Sequence, residues 1–505
     1  MNFGRRRLPA EDDAAGRSTV GPAPRPASWA TLASLGVLLL VATVIRSWRL
    51  GRWSFWYDEV VTARLALTSS PLRLVELLGA IDATRAPLHP LLLQGWIGLF
   101  GATEAACRSL SVVCGVLTVY FVARIGRRLF RDPVTGLIAG ALAAVSPALV
   151  IYARETRMYA WLVLLTCIAW DAALPADAGT VTPRRWWVYI AALVGLGYTH
   201  PLGLIMAATL AMATWIERGH LRGIRGTDGS LTTGGWFLIH VLAALPVLPW
   251  IPRYLDHPPE STVGVQPLRF LIGLPIGYIG GNSWVLPPLA ALIAFGLLRR
   301  DSTRSRLALD RPAATWLLLW LSVPPVVLYV YSRLGQPLFG PERYTLFVAP
   351  AYLILVARGL ARLPIAPRAL TTSLLLGLAA ISLPARAFPP DARADWRGAT
   401  ALIDRVDPSL KEPVLLVAPA VSAAPELATA RYYLDPRRRL ALADASDVPA
   451  SQAEGRHVWC AVSLRQGQPV APLPEWSRHG TTTDLPGLRL VRVKGGIPST
   501  RNEVE

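Results

Sequence analysis

The chain has 505 residues, 52% of them hydrophobic and only 17% charged, with a formal net charge of +18. So few charges and such long apolar runs exclude an ordinary soluble domain and point to a polytopic membrane protein with a soluble part. The positive charge is almost all arginine, with lysine only at Lys411 and Lys494. It falls in short loops between apolar runs, as cytoplasmic loops do, so a nucleic-acid partner is not needed to explain it and none is expected.

Residues 1–28 are rich in Arg, Pro and Ala and read as a disordered cytoplasmic N-terminus. The first apolar run, Trp29–Ile45, carries no charge and is about long enough to cross a bilayer. It lacks a convincing cleavage site and reads as a retained anchor. Arg5, Arg6 and Arg7 before it put the N-terminus inside. The next stretch, Arg52-Trp53-Ser54-Phe55-Trp56-Tyr57-Asp58-Glu59, therefore emerges outside. Two adjacent carboxylates at a lipid edge are costly unless used or paired, so Asp58 and Glu59 head the candidates for chemistry. Val60–Thr68 and Pro71–Ala80 are amphipathic and read as helices lying on the membrane. Leu91–Phe100, after the turn Arg85–Pro90, is too short to span and reads as interfacial.

Ala105–Ala123 is the second span and ends in the Arg-rich turn Arg124–Arg131, a cytoplasmic marker. Pro133–Ile151 returns outside and delivers a second charged aromatic cluster, Tyr152-Ala153-Arg154-Glu155-Thr156-Arg157-Met158-Tyr159. Further spans are expected at Tyr159–Leu174, Trp186–Tyr198, Leu202–Ile216, Trp236–Ile251, Trp284–Leu298, Ala314–Tyr331, Thr345–Val356 and Leu370–Leu383. Two outer loops lie between them, Pro252–Ser283 and Ser332–Tyr344, the second ending in Glu342-Arg343-Tyr344. This threading gives about eleven spans and keeps every Arg-rich loop inside. The tail from Ala385 then lies outside. It offers a helix from Asp395 to Val406 and strands at Pro413–Ala418, His457–Leu464 and Leu488–Val493, the makings of a small α/β domain. The expected organisation is an N-terminal segment 1–28, a membrane catalytic domain 29–384 and an extracytoplasmic soluble domain 385–505. Cys107, Cys114, Cys167 and Cys460 show neither a disulfide framework nor zinc spacing.

The polar residues of interest gather at one membrane face: Asp58, Glu59, His89, Glu155, Arg157, His200 and Arg343. Such a site suits a substrate with a lipid tail in the bilayer and a polar head in water. Arginines hold phosphate through paired donors, and a carboxylate accepts the proton of an attacking hydroxyl. Displacement at a sugar carbon passes through a cation-like state that carboxylates stabilise. Plainer roles stand beside these. Asp58 and Glu59 could cap the first surface helix, Glu155 could pair with Arg154 or Arg157, and His200 could be a packing residue. Arg108 and Arg343 could snorkel to the surface. A lipid or lipid-linked-sugar transporter without catalysis is the second functional reading, with the proline-bent spans Trp236–Ile251 and Ala314–Tyr331 in its favour.

Several stretches resemble, in order and topology, GT-C fold membrane glycosyltransferases, and most of all bacterial relatives of the dolichyl-phosphate-mannose protein mannosyltransferases and the aminoarabinose transferases of lipid A. They are Trp56-Tyr57-Asp58-Glu59, Ala86-Pro87-Leu88-His89-Pro90, Phe100-Gly101 through Arg108-Ser109, Arg127-Arg128-Leu129-Phe130, Ser146-Pro147, Tyr152–Tyr159, Tyr198-Thr199-His200-Pro201 and Glu342-Arg343-Tyr344. The resemblance implies an inverting transfer from a polyprenyl-phosphate sugar to a protein, lipid or glycan hydroxyl on the outer face of the bacterial plasma membrane. It implies Asp58 as general base, with Glu59 beside it, and Glu155 as the acidic residue of the second outer loop. Arg343 and Tyr344 would lie near the lipid phosphate, and Arg154, Arg157, Tyr159, His89 and His200 would line the substrate. The family's usual His-Pro-Pro-Leu is altered here, since Pro87-Leu88 precede His89-Pro90, which weakens the role of His89. Some members hold a divalent metal between such carboxylates and others do not; Asp58 and Glu155 could supply the oxygens.

Overall fold

The computed structural model describes residues 29–494 apart from 83, 175–182, 219–230, 257–265, 301–306, 336–341, 389–392, 443–456, 466–467, 474–476 and 479. The expected disordered segment 1–28 lies outside the described residues. Helix α1 (Trp29–Ser47) is apolar all round and keeps Leu32, Val37, Leu40 and Val44 on its exposed surface, as a lipid-facing helix does. Three short helices follow, α2 (Tyr57–Ala66), α3 (Pro71–Ile81) and α4 (Leu88–Phe100). The side chain of Ser70 caps α3 by accepting from the Arg73 N–H.

Helix α5 (Glu104–Phe130) starts at Thr103, whose hydroxyl accepts from the Ala106 N–H, and stops at Arg131 in the left-handed region. Asp132 caps α6 (Pro133–Val145), and Ser146 breaks the line before the single-turn-and-a-half α7 (Pro147–Tyr152). Helices α5 and α6 touch backbone to backbone. A Cβ on Gly136 would lie 2.5 Å from the Ala123 carbonyl oxygen, so only glycine permits this approach. The bundle continues with α8 (Tyr159–Ala173), α9 (Pro183–Thr199), α10 (Pro201–Ile216), α11 (Thr233–Ala244), α12 (Ile251–Leu255), α13 (Leu268–Ile279) and α14 (Leu286–Leu297). A small hairpin, β1 (Leu298–Arg300) with β2 (Leu307–Leu309), leads to α15 (Arg311–Leu334), α16 (Ala349–Ala361) and α17 (Ile365–Ala387). Helix α16 is the hub: nearly all of its residues are buried in the main core, among α5, α6, α14 and α15.

Among the described residues four helices are long and apolar enough to cross a membrane, or six if each bent pair is one span. Several others are apolar but shorter. Each expected span overlaps helix, but Pro133–Ile151 is divided between α6 and α7 and Trp236–Ile251 between α11 and the run into α12; the segments expected to lie on the membrane form α2, α3 and α4, and most residues of α2 are buried. Helices α12 and α13 were not expected: both fall in the stretch read as the outer loop Pro252–Ser283, and α13 meets the next helical run at an 89° bend. Helix α5 fixes the polarity of the bundle. Arg108 sits near its start and Arg124, Arg127 and Arg128 near its end, about 24–30 Å apart along the axis at 1.5 Å per residue. That is close to the thickness of a bilayer core.

The C-terminal part is a mixed sheet with two helices. Helix α18 (Trp396–Val406) precedes β3 (Val414–Val417), then α19 (Ala420–Tyr433), β4 (Leu440–Leu442), β5 (Val458–Arg465), β6 (Gln468–Pro469), β7 (Thr481–Leu485) and β8 (Leu488–Val493). Strand order is β4-β3-β5-β8-β7, with β6 paired to β5. The β3 pairings are parallel and the β8 pairings antiparallel. Alternation sorts β5 between two layers: Trp459 and Ala461 pack with Trp396 and Ile403 of α18, while Cys460 and Val462 pack with Val491 and Val493 on the other face.

Candidate active site

The site is assembled where α1 ends, α2 begins, the 153–158 turn follows α7, and the turn before α16 returns to the same end of the bundle. Asp58 and Glu59 occupy the first turn of α2, where the helix N-terminus favours negative charge. Although adjacent, they meet opposite surroundings. Glu59 is fully buried. One of its oxygens accepts from Arg108 Nε at 2.8 Å and from the Thr156 N–H at 2.8 Å. The other accepts from Arg108 at 2.7 Å, from Arg393 at 2.7 Å and from the Trp56 N–H at 3.4 Å. Burial alone would push the Glu59 carboxyl up, but the Arg393 and Arg108 guanidiniums hold it at about 2. Such a carboxylate has no free lone pair to take a proton, and its geometry is that of a keystone rather than of a base.

Asp58 is the opposite case. Its carboxylate is partly open to solvent and lies 3.3 Å from Arg343. Its backbone carbonyl accepts from Arg157 at 3.1 Å, and Arg157 also reaches the Thr62 hydroxyl at 2.8 Å. Arg343 leaves the turn Glu342–Tyr344 with its guanidinium near the rings of Trp56, Tyr159 and Tyr344, 5.2 to 5.9 Å from their centroids. Its Nε is buried with no partner among the described residues.

Glu155 is buried between these groups. One oxygen is 3.0 Å from Arg393, and the other has no hydrogen-bond partner among the described residues. Burial pushes its carboxyl up to about 7, against the pull of Arg393 and with the push of Glu59. Neither arginine expected to pair with it does so. Arg154 turns to the end of α1, donating to the Arg46 carbonyl at 2.7 Å and lying 4.4 Å from the Phe388 ring centroid. Arg157 turns to α2. The Ser111 hydroxyl donates to the Glu155 carbonyl at 2.6 Å and fixes the turn.

His200 caps α10, its Nδ1 accepting from the Leu202 N–H at 3.0 Å. Burial, with Arg157 and Arg343 nearby, pushes it down to about 3 and keeps the ring neutral for that bond. Its ring packs 6.1 Å from Tyr159 and 6.4 Å from Tyr344. His89 is buried at the start of α4. Arg108 does not snorkel. It is 1% exposed and donates to the Leu50, Trp53 and Ser54 carbonyls as well as to Glu59.

Sequence reasoning missed Arg393 altogether. It comes from the segment between α17 and α18, far along the chain, and bridges Glu59 and Glu155. Arg108 carried one signal that could have been used, a full charge within an apolar run. As for a metal, Asp58, Glu59 and Glu155 each face an arginine. Among the described residues no three His, Cys, Asp or Glu side chains come together as ligands. That donor set does not fit a divalent ion.

Comparison with known proteins agrees with this architecture. The family model of dolichyl-phosphate-mannose-protein mannosyltransferase matches residues 84–250. An undecaprenyl phosphate-alpha-4-amino-4-deoxy-L-arabinose arabinosyl transferase of Pseudomonas paraeruginosa is 28% identical over 358 residues, 58% of this chain and 63% of the relative. The protein of the same description in Pseudomonas aeruginosa is 27% identical over 353 residues, with the same coverage. The chain thus matches these relatives over 63% of their length. The crystal structure of ArnT from Cupriavidus metallidurans bound to undecaprenyl phosphate superposes with a TM-score of 0.53 at 14% identity, covering 93% of this chain and 99% of that one. The apo structure of the same protein superposes equally well. The chain thus shares the fold of the ArnT structures, and the motifs that carried the resemblance lie in a chain similar to the same group of proteins.

Proposed function

We propose that the protein is an inverting glycosyltransferase that moves a sugar from a polyprenyl-phosphate donor to a hydroxyl acceptor. The observation that carries this reading is the pairing of Asp58 with Arg343, at 3.3 Å, inside an aromatic enclosure at one end of the membrane helices. A solvent-reachable carboxylate beside a guanidinium with an unused donor suits two tasks at once. Arg343 binds the phosphate of the donor, and Asp58 takes the proton of the acceptor hydroxyl. The acceptor oxygen attacks the anomeric carbon as the carbon–oxygen bond to phosphate breaks, the electron pair leaving with the lipid phosphate. The hydroxyl proton passes to Asp58. Attack from the face opposite the leaving group inverts the centre.

In this reading Glu59 is a positioning residue. Through Arg108 and Arg393 it ties α2, α5 and the 153–158 turn together, so that Asp58 is held by its neighbours' geometry. Glu155 is the second acidic residue, close enough to stabilise developing positive charge when ionised. Arg157 fixes the backbone of Asp58, and His200, Tyr159 and Tyr344 shape the wall behind Arg343. His89 and Arg154 support the outer loops. The arabinosyl transferases that the chain resembles use an undecaprenyl phosphate-linked sugar by their description, and a lipid donor of that kind suits a site at the membrane edge.

The same reading carries the finer topology: about eleven spans, the Arg-rich ends of α5 and α16 on the cytoplasmic side, and the site on the extracytoplasmic face of a bacterial plasma membrane. Residues 29–384 then form the catalytic domain and residues 385–505 an extracytoplasmic soluble domain. The transporter reading draws on the 42° break after α11, but Asp58, Glu155 and Arg343 sit at the ends of helices rather than at mid-span, which favours the enzyme. The test supplies purified protein in nanodiscs with radiolabelled polyprenyl-phosphate sugars and membrane extract as acceptor. Wild type transfers label, and Asp58→Asn loses on the order of a hundredfold or more in rate, the usual worth of a positioned base. Equal transfer by Asp58→Asn sinks the assignment.

A further inference from the structure

A second cavity lies outside the cluster just described. It occupies the seam between the first outer loop and the C-terminal sheet, with a volume of about 220 Å³. Trp56, Tyr57, Trp396, Glu426, Thr429 and Ser463 supply its character. Trp396 is fully buried where it lines the cavity, while Tyr57 is exposed. The carboxylate of Glu426 accepts from the Ser463 hydroxyl at 2.7 Å. The indole Nε1 of Trp56 is buried with no hydrogen-bond partner among the described residues. The cavity therefore combines ring faces, a fixed carboxylate, hydroxyls and an unused N–H donor.

Its position ties it to the reacting groups. Tyr57 precedes Asp58 in the chain. Trp56 is shared, its ring centroid lying 5.9 Å from the Arg343 guanidinium and 5.9 Å from that of Arg393. Arg393 also lines a neighbouring cavity of about 200 Å³ together with Glu155, Arg154 and Arg386. Arg393 is thus the wall between a basic compartment and an aromatic one. Its own charge is met by Glu59 and Glu155.

We propose that the aromatic cavity is the acceptor subsite, and that the acceptor presents an uncharged, hydroxyl-bearing sugar ring. This rests on the glycosyltransferase reading and goes on to name the acceptor class. Aromatic faces suit the apolar C–H face of a sugar ring. Glu426 and the Trp56 N–H suit its hydroxyls, one as acceptor and the other as donor. Arg393 in the same wall is already paired with Glu59 and Glu155, so the Glu426 carboxylate sets the charge of the cavity and disfavours a phosphorylated or carboxylated acceptor. The volume falls below the roughly 300–1,000 Å³ of sites for larger ligands, so it accommodates one ring rather than an extended peptide. A hydroxyl of that ring projects past Tyr57 towards Asp58, which receives its proton.

The experiment uses the full chain in nanodiscs. Methyl α-D-mannopyranoside, methyl β-D-galactopyranoside and methyl α-D-arabinofuranoside are titrated against tryptophan fluorescence, with a neutral Ser/Thr-rich peptide in parallel. At least one glycoside binds saturably and the peptide does not. Glu426→Gln keeps the Ser463 hydrogen bond and Tyr57→Ala changes an exposed side chain, so both variants fold. Each raises the glycoside Kd about tenfold or more, as expected for loss of a charge-assisted hydrogen bond or a ring contact. Undecaprenyl phosphate binding in the same samples is unchanged. Absence of glycoside binding, a Kd unmoved in both variants, or binding of the peptide instead overturns the proposal. Those outcomes leave the transferase reading standing, since that reading fails only on the Asp58→Asn transfer assay.

Discussion

Glu59 and Glu155 share one guanidinium, that of Arg393, yet hold their protons at opposite ends of the carboxyl range. Glu59, with five donors, is held at about 2, and Glu155, with one donor and one bare oxygen, is pushed up to about 7. Burial is common to both, so the difference is the count of donors. The consequences for stability have opposite signs. The folded chain holds the Glu155 proton more tightly than the unfolded chain does, so that stabilisation is complete below the ordinary value of 4.5 and is lost as pH rises through about 7. For Glu59 the stabilisation is complete above 4.5 and lost as pH falls through about 2. His200, held neutral by burial, contributes in the opposite sense over the same range in both proteins, so the reading is a difference: the stability of wild type relative to Glu155→Gln in detergent falls as pH rises from 4.5 to about 7. A difference that does not change with pH would refute the assignment. Arg108→Ala takes from buried Glu59 two of its hydrogen bonds and one of its two guanidiniums, leaving Arg393, and lowers stability by about 3 kcal/mol, read in the same assay. Arg343→Lys keeps the charge but not the planar fork, and raises the donor KM about tenfold or more; an unchanged donor KM would exclude Arg343 from phosphate binding.

At the scale of elements, the sequence was most legible where the signal was a long apolar run with arginines at one end. Helices α1, α5 and α15 are of this kind. Helix α2 was legible as a helix from its pattern of charge among leucines and valines, but not as the mostly buried element it is. Strands β5 and β8 followed from β-branched alternation. Helix α13 was hidden because twelve residues with Pro275 inside do not read as a span, and its form depends on the bend into α14. Helix ends were also misread. Helix α5 continues to Phe130 because Arg124 and Arg128 find Asp171 on α8, so charge does not end the helix where the apolar run stops. Asp58 and Glu59 were visible as a pair, but nothing local distinguished the open carboxylate from the saturated one. That distinction is made by Arg108, 49 residues away, and Arg393, 334 residues away. Packing between elements yields its own expectation. Gly136→Val drives a side chain into the Ala123 carbonyl and costs about 1–3 kcal/mol or more, seen as a lowered unfolding midpoint. A midpoint equal to wild type would show that α5 and α6 can part freely.

At the scale of the molecule, the C-terminal sheet is latched to the segment between α1 and α2 rather than tethered at a distance. Arg397 donates to Glu104 at 2.9 Å and to the Gly51 and Arg52 carbonyls. The Tyr433 hydroxyl receives the Phe55 N–H at 2.6 Å and donates to Glu104 at 3.0 Å. Ser54 and Asp395 close the ring at 3.0 Å. The stretch Arg52–Glu59 is thus gripped from both sides. Arg397→Ala loosens that grip, so amide hydrogen exchange in residues 51–55 speeds up while α5 and α16 keep their protection. Unchanged exchange in residues 51–55 would show that the latch is dispensable.

The reach of Arg393 also sets an order of assembly. Glu59 leaves the ribosome early and meets Arg108 soon afterwards, but its second cation is 334 residues further on. At roughly 5–20 residues per second the wait is tens of seconds, during which α6 to α17 are made. A nascent chain therefore carries both carboxylates for much of its synthesis without the arginine that joins them. The cluster closes only once α17 and the segment behind it have been made, so a stalled or truncated chain holds Glu59 and Glu155 unlocked.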